Sequence, residues 1–162
     1  MAAHKLHSIT LHASDEAQTT RVASQLGKQM CAGDVALLDG SLAAGKTFFI
    51  RALVGALGSS EDVTSPTYTI ANIYETPKAP VLHVDAYRLE TAKEFYNLGL
   101  DDYFDTAICL IEWGTRIDGF FDAPLQIEIA FGPTDTDRIF TLSSTDIRWA
   151  SVFADLEATL ND

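Results

Sequence analysis

Apolar and polar residues alternate from Ser8 to His12, with Ile9 and Leu11 on one side, and this period of two predicts a half-buried strand. Ser14 then supplies an N-cap with Asp15 and Glu16 in the first turn. Val22, Leu26 and Met30 recur at four-residue spacing, so residues 15–30 are expected to form an amphipathic helix closed off by Gly33. Val35-Ala36-Leu37-Leu38 is an unbroken apolar run, as in a central strand covered on both faces. Phe48 to Leu57 reads as a helix ended by Gly58. Tyr68 to Tyr74 is β-branched and aromatic, hence strand-like. Val81–Val84 and Ala107–Ile111 are two further buried strands, ending in Asp85 and Glu112. Thr91 to Leu98 looks helical and stops at Gly99. Leu125–Ala130 and Arg138–Ser143 alternate as edge strands do, and Asp146 to Leu160 closes as a helix. Helices alternate with buried strands early and strands cluster late, which predicts a three-layer α/β fold with a mixed parallel and antiparallel sheet.

No repeat, low-complexity segment or linker interrupts the 162 residues, so one domain over 1–162 is expected. The hydrophobic fraction of 47% and charged fraction of 21% are those of a packed globular chain. Charge changes the picture more. The net charge is −12 and the 11 Lys and Arg are scattered. Direct binding to tRNA or DNA needs clustered cations, so it is not expected, and a bound anion must be held by a local device. A basic protein surface suits this charge better. Cys31 and Cys109 form no C-x-x-C pair and read as two buried thiols in a reducing compartment. No signal-peptide h-region and no run long enough for a bilayer is visible, so the expected location is the cytoplasm, without membrane contact.

The local device for an anion is Gly40-Ser41-Leu42-Ala43-Ala44-Gly45-Lys46-Thr47, which satisfies G-x-x-x-x-G-K-[ST] between an apolar strand and a helix. Backbone N–H groups and the positive end of the helix that follows, beginning near Phe48, suit a polyphosphate. Lys46 is placed to reach the outer phosphates and the Thr47 hydroxyl to bind Mg²⁺, so Mg·ATP is the expected ligand. Ala43 stands where such loops often carry glycine, and a left-handed backbone there costs on the order of 1 kcal/mol. The fold class is thus a P-loop NTPase-like α/β domain.

Asp85 and Glu112 end buried strands, where α/β sheets bind ligands. Either carboxylate could hold Mg²⁺ or orient the attacking water. Alternatively each caps a loop or pairs with Arg88 or Arg116. The segment Asp62 to Tyr68 follows the loop's helix and is either a switch approaching the γ-phosphate or a Ser-Pro turn entering a strand.

These residues together resemble the bacterial TsaE (YjeE) family, the ATPase of tRNA threonylcarbamoyladenosine synthesis. The motifs are Gly40–Thr47, Ser65-Pro66-Thr67-Tyr68, His83-Val84-Asp85-Ala86-Tyr87-Arg88 and Glu112-Trp113, in order, across roughly Ile9 to Phe131. The resemblance implies ATP hydrolysis dependent on a TsaB–TsaD pair, with tRNA met only through partners. It implies Mg²⁺ roles for Thr47 and Asp85, a metal or water role for Glu112, a switch position for Thr67, and Trp113 beside the nucleotide or a partner. Ser41, Ala43 and Gly114-Thr115 depart from the family pattern, which implies altered rates on an intact site. A small-molecule kinase is the alternative, weakened because Arg51, Arg88 and Arg116 are far apart and form no lid segment. A GTP-driven switch is disfavoured by the lack of N-K-x-D.

Overall fold

A computed structural model describes residues 5–41, 44–59, 63, 71–117 and 119–160. Its strands are β1 (His7–Ala13), β2 (Val35–Gly40), β3 (Ala71–Tyr74), β4 (Val81–Asp85), β5 (Ile108–Glu112), β6 (Leu125–Phe131) and β7 (Arg138–Ser144). They form one seven-stranded sheet in the order β1-β7-β6-β2-β5-β4-β3. β2 runs parallel to both β5 and β6, and β4 parallel to β5, while β3, β7 and β1 join antiparallel. The mixed α/β sheet expected from the sequence is therefore present.

Helices α1 (Glu16–Gln29), α2 (Lys46–Ala56) and α4 (Arg148–Leu160) cover one face, and α3 (Ala92–Tyr96) with Phe104, Phe120 and Phe121 covers part of the other. The alternating strand faces divide accordingly. Ala36, Leu38, Ile108 and Leu110 join the core beneath α1, α2 and α4, whereas Leu37, Cys109 and Ile111 join the aromatic layer. Covering on both faces explains why β2 and β5 read as unbroken apolar runs.

Three expectations are corrected. β6 and β7 are interior strands, and the edges are β1 and β3. The alternation of β6 and β7 has another cause: their buried residues Leu125, Ile127, Ile129, Phe140 and Leu142 all lie in the α1/α2/α4 core. One covered face, not an edge position, sets a period of two. The N-cap of α1 is Asp15 rather than Ser14, its side chain accepting from Gln18 N at 2.9 Å while Ser14 N donates back to Gln18 Oε1 at 2.8 Å. Cys31 is exposed, and only Cys109 is buried, which pushes its thiol up to about 12. Among the described residues no helix is long and apolar enough to cross a membrane.

Candidate active site

The site stands at the carboxyl ends of β2, β4 and β5. β2 ends at Gly40, and α2 starts at Lys46 with Gly45 as its N-cap at φ 103, a left-handed conformation that glycine adopts without Cβ strain. Leu42 and Ala43, including the expected strain at Ala43, lie outside the described residues, as does the Ser65–Tyr68 segment with Thr67.

Lys46 is buried although charged. Its Nζ donates to Gly40 O at 2.8 Å and Ser41 O at 3.1 Å, and lies 4.0 Å from the centre of the Trp113 ring. Desolvation lowers its pKa, opposed by the negative field of Glu112, Asp39 and Asp85. Three carboxylates thus act through their charge on one ammonium, on a chain that is otherwise strongly acidic.

Glu112 is 4% exposed and held from two sides. Thr47 Oγ1 donates toward it, 3.2 Å from Oε1 and 3.4 Å from Oε2, and His83 Nε2 lies 2.6 Å from Oε2. Asp85 sits beside it, since Asp85 pairs with Glu112 in the β4–β5 register. Burial raises the Asp85 pKa, and Glu112 raises it further, against the hydrogen bond from Tyr87 N at 2.9 Å and the fields of His83 and Lys46. Asp85 therefore caps the loop after β4, as one reading of the sequence allowed. Among the described residues neither acid forms an ion pair with Arg88 or Arg116. Arg116 lies instead over Tyr87, whose ring meets Trp113 at 5.1 Å with the planes tilted by 53°.

Trp113 is held at φ 60, a left-handed conformation costly for a residue with a side chain. Its N–H donates to Leu38 O at 2.8 Å, locking the turn against β2. The departure at Gly114 has a packing reason: a Cβ there would stand 2.5 Å from the Cβ of Leu37. Thr115, the other departure, donates through its N–H and hydroxyl to Asp39 Oδ1 at 3.1 and 3.2 Å.

The structure adds residues that the motif alone did not single out. Asp39 is a third strand-end acid, visible in the sequence as the residue before Gly40. Arg138 of β7 donates from Nε to Ala44 O at 2.9 Å, a contact across 94 positions with no local signal. Next to it, a cavity of about 240 Å³ opens beside Gly45, with Phe48, Ile129 and Phe140 as apolar lining and Glu16, Thr19, Asp135, Thr136 and Arg138 as polar lining.

Among the described residues no three His, Cys, Asp or Glu side chains converge as a metal cage. The oxygen donors present, one hydroxyl against one carboxylate, fit a Mg²⁺ that keeps phosphate and water as its remaining ligands. The sheet order, the loop between β2 and α2 and the acid at the end of the adjacent parallel strand define a P-loop NTPase-like fold.

Comparison with known proteins narrows this further. The family model for threonylcarbamoyl adenosine biosynthesis protein TsaE matches residues 13–139, and the chain belongs to this family. A TsaE protein of Rickettsia bellii is 34% identical over 134 residues, 82% of this chain and 92% of the relative. One from Treponema pallidum is 38% identical over 100 residues, 61% of this chain and 73% of its own. The crystal structure of YdiB from Bacillus subtilis superposes with a TM-score of 0.81 at 28% identity, covering 97% of this chain and 99% of that one.

Proposed function

We propose that this protein binds Mg·ATP on the Gly40–Thr47 loop and hydrolyses it as the ATPase of tRNA threonylcarbamoyladenosine synthesis. It acts there with a TsaB–TsaD pair and meets tRNA only through those partners. The observation that carries the reading is the meeting of Lys46, Thr47 and Glu112 at the ends of adjacent parallel strands. The family names of the relatives support the pathway.

Lys46 is a buried donor among main-chain carbonyls, ready to exchange Gly40 O and Ser41 O for phosphate oxygens. Thr47 would hold Mg²⁺ through its hydroxyl oxygen while its O–H still donates to Glu112. Mg²⁺ would supply neutralisation of charge developing on the transferred phosphoryl group. Glu112 is an acceptor placed to orient the attacking water or the metal's water shell, and Asp85 is the second carboxylate of the metal side. Trp113 closes the Lys46 side. The cavity beside Gly45 and Phe48 adjoins the loop and would offer room for the base and sugar.

Steady-state ATP hydrolysis, measured first alone and then with the organism's TsaB–TsaD pair, tests this. Low turnover that rises clearly with the pair is expected. Glu112→Ala should lower that turnover by roughly 100-fold while sparing ATP binding. Turnover indifferent to the pair, with phosphate appearing on an added acceptor, would replace this reading by a kinase.

A further inference from the structure

His83 is fully buried, in a place where its strand otherwise puts hydrocarbon. On β4 it shares a face with Val81, whose side chain joins the core under α2, and its ring lies 6.2 Å from that of Tyr74. A polar ring there must recover its lost hydration through hydrogen bonds. It has one, from Nε2 to Glu112 Oε2 at 2.6 Å, while Nδ1 is buried without a partner among the described residues. A carboxylate can only accept, so the hydrogen bond puts a ring proton on Nε2. The ring therefore serves one purpose in the core: its polar tip is spent on Glu112.

The consequence lies in which oxygen is left for Thr47. His83 ties Oε2, and Oε1 is the oxygen nearer Thr47 Oγ1. We propose that His83 is a positioning residue for Glu112, fixing the carboxylate so that Oε1 stays on the hydroxyl of Thr47, the residue that would hold Mg²⁺. The inference rests on the Mg·ATP reading above. Glu112 without His83 keeps its charge but loses its fixed rotamer, so the effect falls on metal-dependent steps and not on phosphate capture by Lys46.

Calorimetric titration of ATP, with and without Mg²⁺, into wild-type protein, His83→Leu and His83→Gln tests it, with melting temperatures recorded alongside. ATP affinity without Mg²⁺ should be the same in all three. The gain in affinity on adding Mg²⁺ should fall about tenfold in His83→Leu. It should return in His83→Gln, whose amide nitrogen can stand where Nε2 stands. An undiminished Mg²⁺ gain in His83→Leu, or a loss as large in His83→Gln, overturns the positioning role. Should His83→Leu fail to fold, the ¹⁵N shifts of the wild-type imidazole decide. A proton on Nε2 supports the proposal, and a tautomer with Nε2 bare overturns it. Wild-type protein that binds no ATP overturns the nucleotide reading together with this one, whereas failure confined to the variants overturns this one alone.

Discussion

At the carboxyl ends of β2, β4 and β5, Asp39, Asp85 and Glu112 set a negative field at buried Lys46, and fully buried His83 is hydrogen-bonded to Glu112. Beside the amino end of β2, Phe95, Phe104, Phe120 and Phe121 interlock instead. Phe95 meets Phe120 edge-on at 4.8 Å and Phe104 meets Phe121 at 5.1 Å. The same strands thus carry charge that costs stability at one end and apolar contacts that supply it at the other. Under the proposed function, residues at the first end answer to a ligand. Those at the second answer to the fold, and substitutions can separate the two.

The largest effect is expected at the aromatic end. Phe95→Ala should cost about 3–5 kcal/mol of stability through the cavity it leaves, read by chemical denaturation. Nucleotide affinity of the folded fraction should be unchanged. Lys46→Ala is the converse. It should lower ATP affinity by roughly 100-fold, on the order of 3 kcal/mol, by removing a charge-assisted contact. Its melting temperature should stay within about 3 °C of wild type. Unchanged ATP affinity in Lys46→Ala would erase the distinction between the two ends.

Gly114→Ala sharpens the boundary between them. The added Cβ would press on Leu37, so a stability loss of about 1–3 kcal/mol is expected. Displacement of the neighbouring Trp113 should also weaken ATP binding. The smallest effect concerns Asp85. Burial raises its pKa, so the folded state holds that proton more tightly than the unfolded chain does. Stability linked to the protonated form is present at low pH and is lost as pH rises through the raised value. Asp85→Asn should flatten that decline and raise the melting temperature at neutral pH slightly, by no more than about 3 °C. A lower melting temperature at neutral pH would contradict the assigned cause.

Much of this arrangement was legible in the sequence, for a physical reason. β2 and β5 are covered on both faces, so they read as apolar runs, and the acids ending β4 and β5 stand out against them. The loop Gly40–Thr47 announces itself because phosphate binding needs specific residues at specific spacing. Strand order was not legible: β6 and β7 alternate as edge strands do, yet they lie inside the sheet. The Arg138–Ala44 contact and the Asp39–Thr115 pair join residues far apart in the chain, and no local pattern encodes them. Glu112 rather than Asp85 faces Thr47 because β5, not β4, lies next to β2, which only the sheet order shows.

The most direct test is a residue-resolved ¹H–¹⁵N titration with Mg²⁺ and a non-hydrolysable ATP analogue. Large shifts are expected at Gly40, Ser41, Gly45–Phe48, Glu112 and Trp113, with near silence at Phe95, Phe104, Phe120 and Phe121. Shifts gathered instead around the ≈ 420 Å³ cavity lined by Tyr96, Phe104, Phe120 and Phe121 would contradict it.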